Sequence, residues 1–289
     1  MINFIDKKNI FFIVSAVIIL AGVVCFAIFG GFNLGLDFSG GTAITIDMHA
    51  EFNDEDIIKI VKDTAGLEAS VQKLGDAKTE AYILTEEIST EQRDAIVDAI
   101  KEKYSLSQED VLDVTNVSAS ASAQLLTNAL QAILWAVLAM LIYITFRFDF
   151  RSGIAAILGL VHNVLVMLAV YAIFQFPINS TFVAAILTIV GYSINDTIVV
   201  FDKIRENVKR DSRTAFGKIA NTSLNQTLLR TLNTSLTTLF TITALYILGV
   251  TSIKEFALPI IIGVVVGTYS SICIATPLWV VLKGLKKAK

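Results

Sequence analysis

The chain has 289 residues, of which 54% are hydrophobic and 17% are charged, and its mean hydropathy is +0.68. An ordinary soluble domain is excluded, because such domains are about 45–50% apolar and about 25% charged. The formal net charge of −3 lacks the basic surplus that is typical of nucleic-acid-binding proteins.

Six apolar stretches reach the length that spans a membrane, which is about 20 residues for a hydrocarbon core about 30 Å thick. They lie at residues 10–32, 125–146, 153–174, 178–201, 231–250 and 256–282. The first follows Lys7 and Lys8, but it is too long for a signal-peptide core and lacks a clear cleavage site, so we predict a retained helix. In the last stretch Gly263, Gly267 and Ser271 recur at every fourth position, which favours close packing against another helix.

Residues 33–124, between the first two apolar stretches, have the pattern of a small α+β domain. Alternating apolar and polar residues predict a strand at 42–48, and shorter strands are predicted at 70–74, 80–85 and 110–117. Two helices are predicted between these strands. Asn53 starts the first and Gly66 ends it, and Ser89 or Thr90 starts the second. Gly75-Asp76 marks a turn between the second and third strands. The resulting order βαββαβ predicts a ferredoxin-like domain.

Charge divides the chain into an acidic segment and a basic remainder. Residues 33–124 hold 19 acidic and 7 basic residues, whereas the rest of the chain holds 7 acidic and 16 basic ones, mostly beside helix ends. By the positive-inside rule, both termini are predicted to be cytoplasmic and residues 33–124 extracytoplasmic. The basic stretch 202–230 is predicted to be a cytoplasmic loop with interfacial helices, whose side chains meet anionic membrane lipid rather than nucleic acid. The Ser/Ala-rich residues 118–123 are predicted to form a flexible tie.

Together these patterns predict an α-helical polytopic membrane protein with six transmembrane helices and one small α+β, ferredoxin-like extracytoplasmic domain. Residues 1–32 are predicted to form the cytoplasmic N-terminus and the first transmembrane helix. Residues 33–124 form the extracytoplasmic domain, and residues 125–289 form a five-helix bundle with the cytoplasmic loop 202–230 and a cytoplasmic C-terminus.

The most informative residue is Asp196, near the inner end of the fourth apolar stretch. An aspartate at the centre of a membrane helix costs roughly 2.5–3.5 kcal/mol, so such residues usually mark ion or proton pathways. A low dielectric favours the neutral acid and a nearby cation favours the carboxylate, so a group held between these influences loads and releases a proton. The alternative is an aspartate used only for helix packing. The polar neighbours in the sequence are Tyr192, Ser193, Asn195 and Thr197.

Arg230, at the start of the fifth stretch, is the expected partner of Asp196, and Gln226 adds a polar group near it. The alternative is an arginine that snorkels to the cytoplasmic interface. His162 in the third stretch either relays protons or hydrogen-bonds a neighbouring helix. An intramembrane protease would pair Ser193 with His162, but the sequence around Ser193 lacks a GxSG-type elbow.

Four stretches resemble the signatures of one known family. They are LGLDFSGGT at 34–42, RFDFR at 147–151, GYSINDTIVVFDKIREN at 191–207 and LNQTLLRT at 224–231. They are similar to stretches of SecF, the smaller half of the SecD–SecF accessory complex of bacterial protein export, which belongs to the RND superfamily. The resemblance covers nearly the whole chain, and it includes a glycine-rich turn with Gly35, Asp37, Gly40 and Gly41.

The resemblance implies a subunit that works with SecD beside the SecYEG translocon and SecA in the bacterial cell membrane. It implies that the proton motive force promotes the export of unfolded polypeptides, and that Asp196 and Arg230 lie on the proton pathway. A YidC-type insertase is a further candidate partner. We expect no enzyme activity, no cofactor, no metal site and no nucleic-acid partner.

Two places depart from the family pattern. Asn163 follows His162 where the family often has an aspartate, which argues against a second acidic relay there. Residues 116–122 stand where the family often has Gly-Pro and further glycines before the second span. Two alternative functions stay open: a structural scaffold for SecD or an insertase without proton coupling, and half of a small-molecule RND exporter.

Overall fold

The computed structural model describes residues 2–74, 78–211 and 213–284. In chain order its elements are α1 (Lys8–Ile28), α2 (Leu36–Ser39), β1 (Gly41–Asp47), α3 (Asp54–Ala65), β2 (Ala69–Leu74), β3 (Glu80–Thr85), α4 (Thr90–Tyr104), β4 (Val111–Val117), α5 (Ala119–Arg147), α6 (Phe150–Phe174), α7 (Ser180–Arg210), α8 (Phe216–Leu248), α9 (Thr251–Ser270), a π-helical segment (Ser271–Ala275) and α10 (Thr276–Gly284). The chain divides into two compact units, one of which is Leu34–Leu130.

The described residues contain six helices long and apolar enough to cross a membrane, which confirms the predicted number. They are α1, α5, α6, α7, α8 and a sixth span that runs from Ser252 to Gly284 and includes the π-helical segment. The spans share an apolar core in which the ring of Phe201 contacts that of Trp279, with centroids 4.6 Å apart, and that of Phe148, with centroids 5.9 Å apart.

The connection predicted at 202–230 is mostly helical, and its helices are extensions of the spans, because α7 continues to Arg210 and α8 already begins at Phe216. Glu206 accepts a hydrogen bond from Lys203 at 2.9 Å and forms an ion pair with Arg210, and such pairs support helix beyond the apolar stretch. Asn207 donates to Ser223 Oγ and to Gln226 Oε1, both at 2.8 Å, which joins the two extended helices.

The flexible tie predicted at 118–123 is wrong, because α5 begins at Ala119. The Ser118 hydroxyl accepts a hydrogen bond from the Ala121 backbone N–H at 3.3 Å, as an N-cap residue does. Alanine is the best helix former, so alternating serine and alanine continue the helix once it has been capped.

The unit Leu34–Leu130 has the predicted βαββαβ order, and its antiparallel sheet has the strand order β2-β3-β1-β4. Helices α3 and α4 pack their apolar residues against Ile44 and Ile46 of β1 and Ile83 of β3. The ferredoxin-like prediction is confirmed. Asn53 caps α3 and Ser89, rather than Thr90, caps α4, in a capping box with Gln92. The turn predicted at Gly75-Asp76 lies outside the described residues.

Two of the motif glycines adopt backbone conformations that side chains rarely reach. Gly40 has φ +69° and Gly41 has φ +114°, and a Cβ added to Gly41 would lie 2.1 Å from the Thr85 carbonyl oxygen. Gly35 differs, because its φ of −69° is open to any residue. Asp37 lies in the first turn of α2. The tight approach of β1 to β3 therefore depends on Gly41.

We expect Gly41→Ala to destabilise the unit Leu34–Leu130 by about 3 kcal/mol or more, because it combines backbone strain with a steric clash. Gly66→Ala is the matched control, since Gly66 has φ +71° but open space around its Cβ position, and it should cost only about 1 kcal/mol. Thermolysin digestion of the full-length protein across a urea series measures both. Equal losses in the two variants would contradict a role for the close contact with Thr85.

His49 and Asp110 form a titratable pair just after the end of β1. His49 Nε2 lies 2.8 Å from Asp110 Oδ1, and Asp110 also accepts hydrogen bonds from the Ser107 backbone N–H and hydroxyl at 2.6 and 2.8 Å. The hydrogen bond to Asp110 is the main reason why the pKa of His49 is raised above 6.5. The Ser107 backbone N–H is the main reason why the pKa of Asp110 is lowered below 3.8.

These two shifts predict how the stability of this unit depends on pH. The His49 contribution is complete below about pH 6.5 and is lost as pH rises through the raised pKa of His49. The Asp110 contribution is present above about pH 3.8 and is lost as pH falls through its lowered pKa. Resistance of the full-length protein to thermolysin should therefore fall between pH 6 and pH 8. In His49→Asn, which tolerates the φ of +56° at this position, the fall should disappear, and an unchanged fall would contradict the assignment.

Candidate functional site

Asp196 lies on the buried face of α7 and is 4% exposed. Its Oδ2 atom is buried and has no hydrogen-bond partner among the residues that the structure describes. Tyr192, one turn earlier, is half-buried, and its hydroxyl likewise lacks a partner within the described part of the chain. Asn195 is exposed and belongs to the opposite face, so the predicted polar cluster loses one member.

The residues that bracket Asp196 on α7 are hydrogen-bonded to two other spans. Asn163 of α6 donates from Nδ2 to Ser193 Oγ at 2.5 Å. Thr197 Oγ1 and Ser271 Oγ are 2.8 Å apart, and the Ser271 hydroxyl also donates to the Ser193 carbonyl at 3.3 Å. The turn that carries the carboxyl group is therefore fixed from both sides, whereas one oxygen of the carboxyl group itself is left without a partner.

His162 belongs to a hydrogen-bonded chain that the sequence did not reveal. Its Nε2 lies 2.9 Å from Ser15 Oγ, which lies 3.2 Å from the Tyr269 hydroxyl, and that hydroxyl donates to the Phe11 carbonyl at 2.8 Å. His162 Nδ1 lies 3.5 Å from Asn163 Oδ1. Ser15 and Tyr269 could have been noticed in the sequence, since each is a polar residue in an apolar helix. The sequence does not show, however, which spans are in contact.

Arg230 lies on α8, and its side chain is exposed. It does not form the direct ion pair with Asp196 that a partner residue would be expected to form. Among the described residues, no ion pair joins Asp196 to a basic side chain within 4.0 Å. Gln226 contacts Asn207 and does not reach the Asp196 turn through any described hydrogen bond. Next to Arg230, the Thr231 side chain is 1% exposed and its hydroxyl has no partner among the described residues.

The small residues of the sixth span allow it to approach α7 closely, as predicted from their spacing. A Cβ added to Gly263 would lie 2.5 Å from Ile189, and one added to Gly267 would lie 3.2 Å from Ser193. Ser271 follows at the start of the π-helical segment, whose five residues are all buried. Side-chain hydrogen bonds between the two helices become possible at this short separation.

The surroundings of Asp196 differ from those of a serine protease site and of a metal site. A buried carboxyl group with an unpartnered oxygen and a cation in its neighbourhood is able to change its protonation state. A Ser–His pair for proteolysis is not formed, because Ser193 bonds Asn163 and His162 bonds Ser15. Among the described residues, no group of three or more His, Cys, Asp and Glu side chains is arranged to hold a metal ion.

Comparison with known proteins agrees with this architecture. Residues 96–285 match the family described as "Protein export membrane protein SecD/SecF, C-terminal", and residues 26–49 match the "SecD/SecF GG Motif". The protein translocase subunit SecF of Petrotoga mobilis is 35% identical, over all of this chain and 97% of the relative. The SecDF subunit of Bacillus subtilis is 33% identical over 99% of this chain, which matches only 39% of that longer protein.

A solved structure has the same fold. The crystal structure of SecDF from Thermus thermophilus, titled a translocon-associated membrane protein, superposes with a TM-score of 0.87 at 33% identity. The superposition covers 100% of this chain and 39% of that one. With the matched motifs, the six spans and the ferredoxin-like unit in agreement, this chain belongs to the SecD/SecF family of protein-export membrane proteins, as a SecF-type protein translocase subunit.

Proposed function

We propose that this chain uses the proton motive force to promote protein export, with Asp196 as the group that takes up and releases the proton. The observation that carries the proposal is the buried carboxyl group with an unpartnered Oδ2. An unsatisfied buried polar atom costs about 1–3 kcal/mol, so an aspartate that served only in packing would be expected to have hydrogen-bond partners. The free oxygen is instead available to a proton or to a water molecule.

In this proposal, the positive charge of Arg230 gives protonation of Asp196 an effect on the helices. When Asp196 is ionised, Arg230 attracts it; when Asp196 is neutral, that attraction is gone. A proton therefore favours one arrangement of α7 and α8 over another, which is the requirement for coupling. Moving one charge across 100 mV supplies about 2.3 kcal/mol. This amount biases a conformational equilibrium but does not unfold a stable protein, so the expected substrates are unfolded polypeptides.

The longer relatives support SecD as the partner. In the SecDF proteins of Bacillus subtilis and Thermus thermophilus, whose names join SecD and SecF, the region similar to this chain is 39% of the length. A separate SecD subunit would supply the remainder here. Exposed apolar residues on α5 and α8 offer a surface for additional helices, among them Leu134, Trp135, Phe240 and Leu248.

The remaining assignments follow from this proposal. The Thermus thermophilus protein is titled translocon-associated, and we assign this chain a place beside the SecYEG translocon and SecA, with a YidC-type insertase as a further partner. The charge distribution supports a bacterial cell-membrane location with cytoplasmic termini and an extracytoplasmic unit at 33–124. Relatives named as translocase subunits favour transport over enzyme activity and over small-molecule export. No cofactor beyond the proton gradient is required.

Replacing Asp196 with Asn should abolish the gradient-dependent part of export and leave the amount of protein in the membrane unchanged, because Asn has similar size and cannot ionise. The measurement is the export rate of a secreted reporter, with and without an uncoupler, in cells that depend on this chain. Asp202→Asn is the matched control, since Asp202 lies on the same helix but pairs with Arg147 and is partly exposed. If Asp196→Asn exported as well as the control, the scaffold function without proton coupling would be favoured.

Replacing Arg230 with Gln should lower the gradient-dependent export rate by about tenfold or more, the effect of roughly 1.4 kcal/mol in coupling energy. Replacing Arg230 with Lys keeps a positive charge at this position and should preserve most of the gradient-dependent rate, because attraction to a carboxylate depends on charge. The same reporter assay measures both variants, with Lys218→Gln on the exposed side of α8 as the control. Equal losses in Arg230→Lys and Arg230→Gln would argue against the pair.

A further inference from the structure

The sixth span departs from a regular α-helix at the depth of the Asp196 site. Ser271–Ala275 form a π-helical segment, in which the hydrogen-bond register is one residue longer than in an α-helix. The Thr276 hydroxyl donates to the Ser271 carbonyl at 2.9 Å and satisfies an acceptor at this irregularity. Single-turn π segments inside α-helices recur at functional sites, so the contacts of this one are informative.

The first residue of the segment, Ser271, contacts the Asp196 turn from the sixth span. Its hydroxyl donates to the Ser193 carbonyl at 3.3 Å and lies 2.8 Å from Thr197 Oγ1. Ser193 lies three residues before Asp196 and Thr197 one residue after it, so both contacts fix the turn that presents the carboxyl group. Gly267, one turn earlier on the sixth span, allows the approach to Ser193.

We propose that Ser271 is a positioning residue for Asp196: placed by the π-helical segment, its hydroxyl fixes the turn 193–197 and thereby sets the surroundings of the carboxyl group. This inference rests on the proposed function, in which Asp196 takes up the proton. The π-helical hydrogen-bond register is needed to place Ser271 against α7. Removing one residue from it would rotate one half of the span by about 100° relative to the other and would carry Ser271 away from α7.

The hydroxyl of Ser270 provides an internal comparison. It is as buried as that of Ser271, at 1% exposure, but it donates to the Gly159 carbonyl of α6 at 3.0 Å and not to α7. Loss of either hydroxyl removes one buried side-chain hydrogen bond to a backbone carbonyl, and loss of the Ser271 hydroxyl also removes the contact with Thr197. Only Ser271 is joined to the turn that carries Asp196, so a difference between the two variants reports on positioning rather than on general packing.

Several other titratable or charged groups lie on α7 and on the elements packed against it, and they stay constant in this comparison. Titratable or charged side chains on the elements that pack with α7 near this level, and on α7 itself, are His162, Arg230, Tyr269, Cys273 and Tyr192. None of them is altered in Ser270→Ala or Ser271→Ala. A change confined to Ser271→Ala is therefore assigned to the turn that Ser271 holds.

The test measures the protonation of Asp196 directly, without export. A lipophilic carbodiimide reacts with protonated carboxyl groups in membranes, and peptide mapping by mass spectrometry quantifies the adduct on Asp196 across a pH series. The full-length protein is reconstituted in lipid vesicles as wild type, Ser271→Ala, Ser270→Ala and Thr197→Val, with Asp196→Asn to verify the labelled position. Thr197→Val removes the partner hydroxyl with little change of volume, and it guards against a folding defect peculiar to Ser271→Ala.

We expect Ser271→Ala and Thr197→Val to shift the pH midpoint of labelling by about one unit, which corresponds to about 1.4 kcal/mol, because the surroundings of the carboxyl group change when its turn is no longer held. The midpoint for Ser270→Ala should equal that of the wild type. Unchanged midpoints in Ser271→Ala and Thr197→Val, or an equal shift in Ser270→Ala, would overturn the positioning role. These outcomes are separate from failure of the proposed function, which would appear as normal gradient-dependent export by Asp196→Asn whatever the labelling midpoints are.

Discussion

The membrane-spanning site depends on the close approach of the sixth span to α7. Gly263 and Gly267 leave no side chain between the helices, and a Cβ at either position would press on Ile189 or Ser193. At that separation Ser271 reaches the Ser193 carbonyl and Thr197, and Asn163 of α6 reaches Ser193 from the other side. Hydrogen bonds between membrane helices form where small residues let the backbones approach each other closely. The hydrogen bonds of this site therefore depend on the two glycines.

Among the described residues near this contact, the buried polar atoms without a hydrogen-bond partner are Asp196 Oδ2 and the hydroxyls of Tyr192 and Thr231. Through Ser15, His162 and Tyr269 the polar network built on this contact extends to α1 and α6, so several spans are joined by side chains rather than by apolar packing alone. Buried polar groups with all their partners make a rigid frame, whereas one unsatisfied carboxyl oxygen in the same region is costly.

Local signals in the sequence were reliable where a short stretch decides the outcome. Asn53 placed the start of α3, Ser89 or Thr90 placed the start of α4 to within one residue, and the order of strands and helices led to the ferredoxin-like unit. Helix ends in the membrane part were predicted less well. Hydropathy measures the thickness of the hydrocarbon core, and α7 and α8 continue beyond it as polar helices that are joined through Asn207. The cap by Ser118 likewise turned an expected flexible tie into the first turn of α5.

The sequence by itself determined the six spans, the class of the extramembrane unit and the family. Each of these follows from composition, periodicity or a motif, which are properties of neighbouring positions along the chain. Only the tertiary structure decided which polar groups meet: His162 lies within hydrogen-bond distance of Ser15, Asn163 donates to Ser193, and Ser271 donates to the Ser193 carbonyl in the turn before Asp196. The reason is physical, because partners on different helices depend on how closely the backbones pack, and that distance is not encoded in any one stretch.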